Sequence, residues 1–229
     1  MRELIIHQSG PAASIQDSGR TGCLQLGIPP AGAMDADALA SGQYLLGHSA
    51  DEAAIEMAYG NLVASPTEPC HIAVTGAAVD LRINGMSARM HTVLRVEAGQ
   101  QIQITPGAAG VYSYLHVDGG IDTPETLGSR STSAREGVGG FDGRRLINGD
   151  CLPLRAPTQP PNGRAGDLTH TPPGDLIRLR FVPGFQYTLM QPAVTAALCE
   201  NDFVVTPKAN RMGVQLEGSR LDTGIETLL

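Results

Sequence analysis

Apolar residues in this chain recur at every second position, in short bursts broken by glycine turns. That rhythm excludes an all-helical protein and a parallel α/β sheet alike. Leu4-Ile5-Ile6 opens the series. His71-Ile72-Ala73-Val74-Thr75 and Val79-Asp80-Leu81-Arg82-Ile83 follow, with Gly76-Ala77-Ala78 between them. Thr92–Val96, Gln101–Ile104 and Val111–Leu115 continue it, separated by Glu97-Ala98-Gly99 and Pro106-Gly107. Asn84-Gly85 predicts a tight hairpin, because both residues tolerate the positive φ of a type I′ turn. The expected fold is mainly β, a barrel or sandwich with few short helices. One helix is predicted over Ala36–Leu46, capped by Asp35, stopped by Gly47 and turning Leu39, Leu45 and Leu46 to the core. A second runs from Pro192 to about Glu200, with proline in its first turn.

Glycine and proline together supply 44 of the 229 residues, well above the usual combined share of roughly 12%. Five prolines fall in Ala156–Asp175, which is almost without apolar residues. This predicts an N-terminal domain over residues 1–155, a proline-rich linker or loop over 156–176, and a partial C-terminal domain over 177–229. Leu176–Val182 is expected to restart the strand pattern. The 53 residues after 176 hold no disulfide framework and no cluster of metal ligands. So small a segment is expected to pack against the first domain, a partner chain or a continuation.

No apolar run approaches the roughly 18 residues that span a bilayer, and Met1-Arg2-Glu3-Leu4 does not read as a signal peptide. A net charge of −7 argues against general nucleic-acid binding. Cys23, Cys70, Cys151 and Cys199 stand far apart, the pattern of reduced thiols in the cytoplasm. No two histidines lie three or four residues apart, so a histidine metal site is not expected. His116, ahead of Asp118-Gly119-Gly120, suits either a general base or a structural hydrogen bonder. Charge is uneven. Residues 1–129 carry 5 basic and 13 acidic side chains, whereas residues 130–155 carry 5 arginines and 3 acids. The latter stretch is either an island that attracts anions or a set of solvated loop arginines.

Five loops combine glycine with polar groups: Gln16–Gly22, Gly27–Asp35, Gly119-Gly120-Ile121-Asp122 with Leu127–Thr132, Gly137–Gly140, and Asn210-Arg211-Met212-Gly213. In the second, free amides at the helix start form a candidate anion or carbonyl site, for which Asp35 competes as cap. In the third, Ser129 and Ser131 flank Arg130, whose fork suits a carboxylate or phosphate.

Ser14-Ile15-Gln16-Asp17-Ser18-Gly19-Arg20, Gly27–Asp35, Ala54-Ile55-Glu56, Val74-Thr75-Gly76-Ala77 and the third and fifth loops occur in an order that resembles one family. This is the biotin-dependent carboxyltransferase family, also called allophanate hydrolase subunit 2 or the Kip antagonist family, which includes the C component of bacterial 5-oxoprolinase. The resemblance implies cyclophilin-like β-barrel domains, the second of them incomplete in this chain. It implies one member of an ATP-dependent complex, working with the A and B components of 5-oxoprolinase, that opens the lactam of 5-oxoproline to glutamate. Alternatives are carboxyl transfer from biotin, as in urea amidolyase, and a non-catalytic partner that regulates a homologue of the B component. Under the first, Asp17 and Arg130 are expected in the chemistry, with Gln16, Arg20, Gly32, Ser129, Asn210 and Arg211 binding a small amide or lactam.

Overall fold

The computed structural model describes residues 1–48, 52–161 and 177–222. Two compact units divide the chain, Met1–Pro172 and Pro173–Leu229. The first is mainly β, as the alternation predicts. Its strands are β1 (Glu3–Ser9), β2 (Ser14–Gln16), β3 (Ala54–Ala58), β4 (Leu62–Pro66), β5 (Cys70–Gly76), β6 (Val79–Ile83), β7 (Met86–Ser87), β8 (Leu94–Val96), β9 (Ile102–Pro106), β10 (Tyr112–Val117) and β11 (Cys151–Pro153). They form two open antiparallel sheets, ordered β11-β1-β4-β9-β6-β7 and β2-β3-β10-β5-β8. Asn84 and Gly85 turn β6 into β7 at φ 49° and 77°, the pair of left-handed residues that a type I′ hairpin needs.

The sheets bury one common core. Leu4, Ile6, Leu62, Leu81, Ile102 and Ile104 from the first meet Ile15, Ile55, Ile72, Val74, Val96, Leu115 and Val117 from the second. The outer face of the second sheet is covered by α1 (Ala36–Leu45), through Ala38 and Leu39 on Ala54 and Tyr114, and through Leu45 with Leu46 on Ala73. β3 and most of β10 are therefore buried on both sides. Asp35 caps the helix, its side chain accepting from Ala38 N at 2.9 Å. Gly42 lies against the His116 ring, where an added Cβ would sit 2.1 Å from the nearest ring atoms.

The second unit holds a 3-10 turn (Phe185–Leu189), helix α2 (Pro192–Glu200) and a two-stranded hairpin of β12 (Phe203–Asn210) and β13 (Gly213–Gly218). The strand expected over Leu176–Val182 does not form: Ile177–Val182 is irregular and largely exposed. No neighbouring strand pairs with it among the described residues, so its amides and carbonyls lack the ladder that would hold it extended. Leu176 itself lies outside the described residues.

Candidate functional site

Four of the five polar loops converge on Asp17. Its carboxylate is buried and accepts from Gly19 N at 2.8 Å, Ser129 Oγ at 2.7 Å, Ser131 Oγ, and Arg130 N at 2.5 Å. Its backbone N–H donates to Ser131 Oγ at 3.0 Å and its carbonyl accepts from Ala33 N at 2.9 Å. Gly19 and Gly32 pack back to back. Each has positive φ, and a Cβ on Gly32 would come within 3.0 Å of Ser18 O, which is why this buried position is glycine. Gly140 N donates to Arg130 O, tying the fourth loop to the third. Burial pushes the Asp17 carboxyl up, but the hydrogen bonds from Ser131, Ser129, Arg130 and Gly19 outweigh it and hold the group below its ordinary range.

Such a carboxylate is an anchor. A proton-handling role for Asp17 does not fit it, since its acceptor sites are filled by fixed donors. Arg130 reaches this cluster through its backbone. Its guanidinium is engaged elsewhere, by Thr123 O at 2.8 Å and Glu125 Oε1 at 2.6 Å. Two neighbours keep unused capacity. Gln16 donates from Nε2 to Ser14 Oγ and Thr132 O, while its buried Oε1 has no partner among the described residues. Arg20 is fully buried and donates from Nη2 to Ser131 O, leaving Nη1 without a partner there.

At the expected anion site, the loop amides just before the helix are already taken. Met34 N donates to Glu56 Oε2 at 2.9 Å and Asp35 N to Tyr114 Oη at 2.8 Å, while Tyr114 Oη donates to Glu56 at 2.9 Å. Apart from the exposed Arg135, the arginines of the basic island are engaged within the fold. Arg144 grips Asp150 at 2.8 and 2.9 Å, Arg155 pairs with Glu52, and Arg145 donates to Pro11 O. His116 is buried. Thr75 Oγ1 donates to Ala38 O at 2.7 Å, so at 3.2 Å it accepts from His116 Nε2. Burial, then the charge of His48, pushes His116 down to about 3, so it stays neutral and serves packing instead of proton transfer. Asn210 and Arg211 belong to the second unit, where Asn210 Oδ1 accepts from Met212 N at 2.7 Å in the hairpin turn.

Sequence reasoning noted Ser131 only as a neighbour of Arg130, yet its side chain both donates to and accepts from Asp17. It passed over the pairing of His71 with Asp118. Asp118 Oδ2 accepts from His71 Nδ1 at 3.0 Å and from His71 N at 2.9 Å, while Oδ1 takes Arg2.

Two open sheets over one core, with polar loops gathered at a buried carboxylate, define a β-built module. The same architecture is found in solved structures. The crystal structure of TTHA0988 matches with TM-score 0.84 and 28% identity over 96% of this chain and 43% of that one. The K. lactis urea amidolyase matches with TM-score 0.80 and 28% identity over 95% of this chain and 14% of that one. The chain belongs to the carboxyltransferase domain family, subdomain A and B, whose profile matches residues 26–228. Among curated proteins it is similar to the C component of 5-oxoprolinase from Escherichia coli, 33% identical over 218 residues, 95% of this chain and 69% of that protein. It thus spans about two thirds of that relative and less than half of either solved chain.

Proposed function

We propose that this chain acts as the C component of an ATP-dependent complex of 5-oxoprolinase type, with homologues of the A and B components as partners. The reading is carried by the 33% identity to the E. coli C component, which runs along 95% of this chain. An unstrained lactam is a poor electrophile, and phosphorylation of its carbonyl oxygen by ATP makes the carbon open to water. In this reading ATP enters through the complex, and the complex works in the cytoplasm as a hetero-oligomer. Residues 1–155 and 177–229 serve as its two domains, joined by the linker 156–176. Gln16 and Arg20, with their unused Oε1 and Nη1, contact a small amide or its anionic group, and Gly32 and Ser129 shape the same loops; Asn210 and Arg211 are binding candidates within the second domain. Asp17 is a positioning residue that holds Ser129, Arg130 and Ser131 in place.

The test is reconstitution with the neighbouring A and B components and an assay of ATP-dependent glutamate release from 5-oxoproline. Release that needs this chain supports the reading; none, beside an active control complex, ends it. The family match to a carboxyltransferase domain favours a second reading, carboxyl transfer from a biotin carried on another protein. Carboxylation of urea with a biotinylated partner, in place of glutamate release, would select it.

A further inference from the structure

The cluster around Asp17 lies at the β2 edge of its sheet; a second assembly of polar groups occupies the opposite, β8 edge. There, an open cleft of about 610 Å³ is lined by Arg2, His71, Arg95, Asp118 and the proline-rich stretch Ala156–Pro161, with Glu68 on the same wall. His71 on β5 and Arg95 on β8 are direct cross-strand partners, so both side chains stand on one face, their Cβ atoms roughly 5 Å apart. The imidazole is fixed from behind. Its Nδ1 is hydrogen bonded to the Asp118 carboxylate, itself buried and neutralised by Arg2. A proton on Nδ1 leaves Nε2 as a lone pair, and no described residue bonds to it. Arg95 spends Nε on Glu97 Oε1 at 2.7 Å, and its terminal nitrogens keep their donors. Pro69, Pro157 and Pro160 offer apolar walls between these groups.

We propose that this cleft is a second site, apart from the Asp17 loops, for a small cyclic amide bearing a carboxylate. The His71 Nε2 lone pair accepts the amide N–H, the Arg95 guanidinium donates to the carboxylate, and the prolines cover the ring methylenes. Asp118 is a positioning residue that fixes the imidazole tautomer. The choice of ligand rests on the function proposed above, since 5-oxoproline carries each of these groups; the geometry of acceptor, cation and apolar wall is independent of it.

The test follows the His71 C2–H resonance of the full chain above the imidazole titration range while 5-oxoproline is added. Saturable movement is expected, weakened about tenfold by replacing the probe's carboxylate with a carboxamide, and about tenfold by N-methylation, as loss of one charged or one neutral hydrogen bond implies. Arg95→Gln should abolish the preference for the free acid over its carboxamide. His71→Phe should abolish binding, seen as loss of the chemical-shift changes at the Arg95 amide, with the dispersion of the remaining spectrum confirming the fold. Absence of saturation in the wild-type chain, or unaltered selectivity in Arg95→Gln, overturns the proposal. Glutamate release by the reconstituted complex separates the two readings. Turnover without cleft binding removes this site and keeps the enzyme; cleft binding without turnover keeps the site and removes the enzyme.

Discussion

Asp17 sits where four loops meet, and Asn at this position would turn one accepting oxygen into a donor that faces N–H and O–H groups. Asp17→Asn is expected to cost about 2–4 kcal/mol, because hydrogen bonds to a buried charge are lost and a donor is left unpaired. Urea unfolding measures it, and Arg130→Ala, whose backbone amide still reaches Asp17, should cost less than half as much. His116 sets a pH dependence of definite sign. It is neutral in the fold, pushed to about 3, and burial likewise brings His48 to about 4 despite the raising field of Asp118. Unfolded histidine protonates near 6.5, so between that pH and about 4 the unfolded chain binds more protons than the folded one. Stability therefore falls as the solution is acidified, by up to about 1.4 kcal/mol per pH unit for each histidine. Urea midpoints across that window should show the loss, and His116→Gln should flatten the slope by about half.

At the level of elements, α1 rests on β5 and β10 at close range, and a methyl at Gly42 would enter the His116 ring. Gly42→Ala is expected to destabilise by about 1–3 kcal/mol despite the better helix propensity of alanine, while Asp35→Ala costs about 1 kcal/mol through the lost cap; thermal unfolding distinguishes the two. The contrast between strands shows what could be read in advance. β6 and its Asn84-Gly85 turn were legible because one face meets the core and the other meets water, giving alternation. β3 was not, since helix and core bury all five of its residues and erase the period. Ile177–Val182 has strand composition without a strand's partner. The glycine-polar loops could be recognised along the chain, yet the contacts of Asp17 with Ser131, 114 residues away, and of Arg20 with the Ser131 carbonyl, 111 residues away, depend on tertiary folding. The adjacent Arg144 and Arg145 likewise turn to different partners, the Asp150 carboxylate and the Pro11 carbonyl.

Across the whole molecule, burial is unequal. The first unit carries the core clusters, whereas large side chains of the second, such as Val182, Phe185, Val204, Val205 and Val214, stand more than half exposed. A two-stranded hairpin without a covered face is marginal in water. Hydrogen exchange of the full chain is expected to run orders of magnitude faster in β12 and β13 than in β10, whose amides are paired on both sides. Equal protection would contradict this picture.

Tyr114 gives the chain an internal optical gauge. There is no tryptophan, and Tyr114 is one of only five tyrosines. Burial, followed by the charge of Glu56, drives its hydroxyl above the ordinary phenol range. In an alkaline titration its phenolate absorbance will lag behind that of the exposed rings and emerge only when helix and sheet part. A late step in that curve therefore counts unfolded molecules, with no label attached.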